Sequence, residues 1–316
     1  MDDIRTEIQR QLAGQRPREI SADRWGHVRR LYQSYNGGAL WMDTNGPNKP
    51  RTNALLRAIV NANTDALRLD AYPLPELVQA ISTVRTAKTP SATQLAGADV
   101  LLTTTYISLT EDLLSGQSDP QQLSQDWHIA TGHERIDSAA ALSLHTENLD
   151  EGLARMRPQY DDYAALQKAL TRFRDIVKQG GWPTVPSGKL LKRGMRESST
   201  RLAALRARMA GEGFTSDSDS SSTKPTLYDA ALAGAVADFQ ARHGIVVDSM
   251  LGGETLQSLN VPADYRLAQI AANLERLRWL PRDPGQRYVL VNVPAFRLQA
   301  FDSGQKVLEM KVIVGE

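Results

Sequence analysis

The chain contains no cysteine and five histidines, His27, His128, His133, His145 and His243. The first fact removes disulfides, zinc thiolates and every thiolate nucleophile together. The second leaves few groups for metal binding or proton transfer. His128 and His133 stand five apart, which turns them off a common helical face, and no third ligand is near in sequence. His27 and His145 are isolated and read as ordinary surface or core residues. Asp217, Asp219 and Ser221 imitate the first ligands of a calcium loop, but Ser222 occupies the sixth position, where glycine is needed, and Tyr228 the twelfth. Gly181 and Gly188-Lys189 suggest a phosphate loop; six residues separate the glycines and Leu190 follows the lysine, so neither the spacing nor the magnesium-binding hydroxyl is right. There is no Gly-x-Ser-x-Gly elbow and no serine paired with a base. The carboxylate pairs Glu111-Asp112 and Asp161-Asp162 lie on helices whose other face is apolar and read as solvated charge. No catalytic residue, metal ligand or cofactor is assigned.

The elements around these residues are mostly helical. Leu55, Ile59 and Ala62 mark one helix, Leu74, Leu77, Val78 and Ile81 another, and Val100 to Leu114 a longer one stopped by Gly116. Asp119-Pro120 reads as a helix start. Tyr160, Tyr163, Leu166, Leu170, Phe173 and Val177 form a stripe at helical spacing, opened by Pro158 and ended by Gly180-Gly181, which predicts a boundary near residue 185. Then come a helix with Leu202, Leu205 and Met209, a polar stretch from Thr215 to Thr226 expected to be a mobile surface loop, a helix over 229–242 facing Leu232, Val236 and Phe239 inward, and a short helix over 255–259. A further helix, 265–279, precedes a change of period. Residues 288–292, 296–301 and 307–314 read as strands, with a turn at Asp302-Ser303-Gly304. Three strands alone expose their edges and one apolar face, which predicts a sheet that is cut off; the alternative is a short terminal sheet packed on the helices.

At roughly 150 residues per domain, 316 residues suggest about two domains. Thirty-seven Lys plus Arg against thirty-six Asp plus Glu give a formal charge of +1, so no overall field recruits nucleic acid or an acidic membrane. Hydrophobic residues at 41% and charged residues at 23% are ordinary for a globular chain. No stretch approaches the roughly 20 apolar residues of a transmembrane segment, and residues 1–20 lack the apolar core of an export signal.

The segment with Tyr228-Asp229, Ala235-Val236, Phe239-Gln240, His243-Gly244, Asp248, Leu251-Gly252, Thr255 and Leu259-Asn260 resembles a three-helix peptidoglycan-binding domain. In physical terms Phe239 anchors a helix, Gly244 permits a left-handed turn, and Asp248 and Thr255 suit the connecting turn and the start of the last helix. Where the family commonly has glycine after the aspartate, Ser249 stands here, which is expected to alter that turn. The flanks widen the resemblance. Gly180-Gly181-Trp182-Pro183, Asn273 to Pro281, and Val291-Asn-Val-Pro-Ala-Phe296, together with Ala71-Tyr72, Leu101 with Thr103, and Gly116 followed by Asp119-Pro120, resemble the large L,D-transpeptidases of the YcbB type.

That resemblance implies a mainly α chain: a helical scaffold over 1–185, a three-helix peptidoglycan-binding-like domain over 186–262 with a flexible loop at 215–226, a connecting helix over 263–284, and over 285–316 the first strands of a truncated YkuD-type catalytic domain. It implies cross-linking through a cysteine acyl-enzyme in the periplasm or cell envelope. The family's His and Ser-x-Gly-Cys elements fall beyond the strands matched here, so no residue receives those roles, and this chain alone is expected to be inactive. The alternatives are a non-catalytic peptidoglycan-binding or cell-envelope scaffold protein and, for residues 1–180, a plain helical adaptor. The expected partners are peptidoglycan and other cell-envelope proteins. Gln240, Arg242, His243, Asp248 and Thr255 are the candidate polar contacts.

Overall fold

Capping side chains set the helix starts in the N-terminal half. After α1 (Asp2–Ala13), the Ser21 hydroxyl accepts from the Arg24 amide at the head of α2 (Ala22–Ser34), and Asn48 does the same for Arg51 at the head of α3 (Lys49–Asn61). Between them lies a two-residue hairpin, β1 (Met42–Asp43) with β2 (Gly46–Pro47). Helix α4 (Leu74–Thr86) carries proline in its first turn, and a Ser91/Gln94 capping box opens α5 (Ala92–Ser115). Then follow α6 (Pro120–Leu123), α7 (Ile136–His145), α8 (Leu149–Arg155) and α9 (Asp161–Lys178). These coordinates are a computed structural model that describes residues 2–123, 125, 127–129, 136–146, 148–214 and 225–315. His133, and residues 215–224 with Asp217, Asp219, Ser221 and Ser222, lie outside the described residues, and with them the calcium-like spacing and most of the expected loop.

The chain divides into two compact units, Met1–Lys168 with Ala271–Arg282, and Ala169–Ile270 with Asp283–Glu316. The first is built around α5, which is buried on nearly every side. A helix so placed needs its polar side chains satisfied locally. Thr103, Thr104, Thr105 and Ser108 donate to the carbonyls four residues earlier, at 2.8 to 3.0 Å. Three buried aspartates tie the unit together. Asp99 accepts from the Tyr32 hydroxyl at 2.6 Å and from the backbone amides of Leu40, Trp41 and Met42, which locks the chain entering the β1–β2 hairpin against α5. Asp112 accepts from Tyr72, Gln117 and Arg24. Asp65 accepts from Arg157, Tyr163 and Gln167, while its own carbonyl takes Arg278 Nη1 at 2.8 Å.

Some expectations need correction. Asp112 is buried rather than solvated, because Tyr72 and Arg24 fill its coordination from neighbouring elements. Val78 is 53% exposed, one step off the face that Leu77, Ile81 and Val84 present to the core. Pro158 precedes α9 instead of opening it, and Ala62 begins a single 3₁₀ turn after α3. The long helix starts eight residues before Val100, where the capping box lies.

The second unit contains α10 (Ser199–Gly211), α11 (Ala230–Arg242) and α12 (Gly253–Leu259), then α13 (Ala263–Trp279), which ends in the first unit. Leu202, Leu205, Met209, Leu232, Val236, Phe239 and Leu259 form its core. The last element is an antiparallel meander of β3 (Arg287–Asn292), β4 (Arg297–Asp302) and β5 (Gln305–Lys311). Its register places Val289, Ala300 and Leu308, and beside them Val291, Leu298 and Met310, on one face. Val289 is 60% and Leu308 49% exposed, so that apolar face stays open among the described residues, as the pattern predicted. Phe296 falls outside the strand: its φ of +52° closes a 3₁₀ turn before β4. The molecule is mainly helical with a small C-terminal three-stranded sheet.

Candidate functional site

The five candidate residues divide by what their atoms already touch. Gln240 sits on the inner face of α11 and is 1% exposed. Its amide nitrogen donates to Asp248 Oδ1 at 2.8 Å, Thr255 Oγ1 at 3.0 Å and the Met250 carbonyl at 3.1 Å, and its oxygen accepts from the Asp248 and Ser249 amides. One neutral side chain therefore organises the connection from α11 to α12. Thr255, also buried, is the peg in the first turn of α12 that this amide holds. Both side chains are shut away from solvent, Gln240 at 1% and Thr255 at 3% exposure.

Asp248 is exposed, but its Oδ1 also accepts from the Met250 amide at 2.8 Å, an Asx turn. That amide and the Gln240 side chain hold its carboxyl below the usual range, so it is ionised and faces solvent with one oxygen uncommitted to the turn. Gly244 has a φ of +70°, and the Ile245 amide returns to the Gln240 carbonyl, ending α11 as expected. Ser249 takes a φ of +59°, the left-handed conformation that glycine adopts without steric cost.

Arg242 lies outside with its guanidinium over the Phe214 ring at 4.4 Å. His243 stacks on Phe239 with centroids 3.9 Å apart, and its Nδ1 is 2.9 Å from the Phe239 carbonyl. Burial pushes its pKa down, opposed by that carbonyl and by Glu212; Arg266 and Arg208 push it further down. Arg208 is the group that sequence reasoning missed: fully buried, it donates Nε to the Leu259 carbonyl, pairs with Glu212 at 3.1 Å and lies 3.8 Å over Trp182. A cation on the α10 core face carries no sequence signal distinguishing it from a solvated arginine. Nearby, a cleft of about 320 Å³ is lined by Trp182, Thr184, Asn260 and Asp264 among others.

A third feature is the strap that enters the module. Arg201, 3% exposed, donates to the carbonyls of Pro186 and Lys189 and pairs with Glu197. A Cβ on Gly188 would lie 2.5 Å from that guanidinium, so glycine there serves close approach, not phosphate. With this geometry in hand, comparison with known families finds two matches. Residues 26–170 match the Scaffold domain, and residues 198–259 match a peptidoglycan binding domain. No curated protein matches the chain.

Proposed function

We propose that the chain docks on peptidoglycan through the module at 198–259 and acts as the scaffold and wall-binding part of an L,D-transpeptidase. The match over 198–259 carries this reading. The Scaffold match over 26–170, of the kind found N-terminal in L,D-transpeptidases, supports the enzyme family. These residues contain no cysteine, so the chain on its own binds without turnover. Arg242, His243 and Asp248 are the candidates that reach solvent, while Gln240 and Thr255 act through the turn they build. The setting is the periplasm or cell envelope.

Retention on purified sacculi tests the binding, with a variant lacking residues 190–260 as the control; equal retention of both removes the module from the account. Incubation with a carbapenem tests the chemistry. No mass shift is expected, and an acyl adduct, or exchange of D-amino acids into tetrapeptide stems, would refute the inactivity. The second reading is a non-catalytic peptidoglycan-binding or cell-envelope scaffold protein, which needs only the match over 198–259. A reading frame continuing past Glu316 into a Ser-x-Gly-Cys motif would decide against it.

A further inference from the structure

Residues 188–196 read Gly-Lys-Leu-Leu-Lys-Arg-Gly-Met-Arg, with four cations and no acid. The chain here is pinned. Leu191 exchanges both backbone bonds with Leu251, at 3.4 and 3.1 Å; the Gly194 amide donates to Tyr228, and the Tyr228 amide donates to Met195, both at 2.9 Å. Leu191 alone in this stretch turns its side chain into the core, so the rest face outward. Leu190 is 46% and Met195 40% exposed, and beyond the Leu251 contact the turn at Val246 and Val247 is exposed as well, at 75% and 57%.

Lys189, Lys192 and Arg193 make no ion pair among the described residues, although Lys192 lies near enough to Asp248 to help lower its pKa. Arg196 donates to the Thr226 hydroxyl at 3.1 Å. Like charges held on a fixed backbone repel one another, and an anionic ligand relieves that repulsion without first having to order the strap. The exposed apolar side chains between them select an anion that also carries apolar groups. Peptidoglycan stems alternate alanine methyls with carboxylates, whereas an N-acetylglucosamine chain carries no charge.

We propose that the 188–196 strap is the surface on which the module holds peptidoglycan, and that it reads the carboxylates of the stem peptides, not the glycan. This inference rests on the peptidoglycan reading above. Charge reversal in the full chain, Lys192→Glu with Arg193→Glu, tests it, with exposed Arg85→Glu plus Lys88→Glu as the charge-matched control outside the strap. The probes are sacculi, a soluble disaccharide tetrapeptide, chitotetraose, and vesicles of phosphatidylglycerol with phosphatidylcholine.

The double variant is expected to bind sacculi and disaccharide tetrapeptide about tenfold more weakly, with the control unchanged and chitotetraose failing to compete. Wild-type binding should also weaken as salt rises from about 0.05 to about 0.5 M, as the screening length contracts. Unchanged binding by the double variant, or equal competition by chitotetraose, overturns the inference. So does loss of vesicle binding with sacculus binding kept, which would make the strap a lipid surface. If deletion of 190–260 abolishes retention while charge reversal does not, only this inference falls. Equal retention after deletion removes the underlying reading too.

Discussion

Asp99 in the scaffold and Gln240 in the binding module do the same mechanical job with different chemistry. Each is a buried side chain on a helix that collects the backbone of a connecting segment, residues 40–42 for Asp99 and 248–250 for Gln240. The carboxylate only accepts, so it can serve a segment that offers amides and nothing else, and it must remain charged to do so. The amide accepts through its oxygen and donates through its nitrogen, so it can hold a turn that presents amides, a carbonyl and a hydroxyl together. Burial pushes Asp99 upward in pKa despite its donors. A raised value means that the ionised form carries a folding cost above the ordinary carboxylate range, and the cost is relieved as pH falls. Gln240 has no such dependence.

The largest effect should come from Asp99→Ala, which strands three buried backbone amides and leaves the Tyr32 hydroxyl with Thr103 alone. A loss of about 3–5 kcal/mol is expected, seen as collapsed hydrogen-exchange protection across α2, the 40–42 segment and α5 while α10 to α12 remain protected. Uniform loss across the chain would show that the two units unfold as one and would break the comparison. Gln240→Ala should cost about 2–3 kcal/mol, confined to residues 245–259. If protection there survives, the amide is not the organiser of the turn.

The sequence showed some of this clearly. The helical stripe of α9, the helix end at Gly244 and the period change at residue 287 were legible because each depends on local pattern. Asp112 was not. Its partners Tyr72 and Arg24 come from 40 and 88 residues away, so a buried carboxylate on α5 looks the same in sequence as a solvated one. The same holds for Asp65 and Arg278, 213 residues apart. At the candidate site the identities of Gln240, Asp248 and Thr255 were legible, but their division into turn builders and solvent-facing groups depends on which lone pairs and protons are already used. The strap cations carry no local signal, because backbone pinning by Leu251 and Tyr228 is a tertiary fact.

A smaller effect separates the units by pH. The lowered pKa of His243 means that the unfolded module takes up a proton before the folded one does. Its stability is therefore full above the ordinary histidine range and declines as pH drops through that range toward the folded value. Between about pH 8 and about pH 5 the exchange protection of α11 should fall, and His243→Gln should flatten that dependence. A wild-type module equally protected at both ends would remove the half-buried His243 from the account.

Ser249→Gly should give the smallest change and the opposite sign. Ser249 holds a left-handed backbone at a steric cost of about 1–2 kcal/mol, in a turn whose contacts are all made by its backbone: its amide donates to Gln240 Oε1 and its carbonyl accepts from Tyr228 at 2.8 Å. Glycine keeps both bonds and removes the strain, but it also frees the unfolded chain, which takes back about 0.4–1 kcal/mol. The net gain is between about zero and about 1.6 kcal/mol, measurable as a higher denaturation midpoint with an unchanged denaturant slope. A loss on substitution would mean that the serine hydroxyl has a role the backbone geometry does not contain, and the turn would then be more than a scaffold for Asp248.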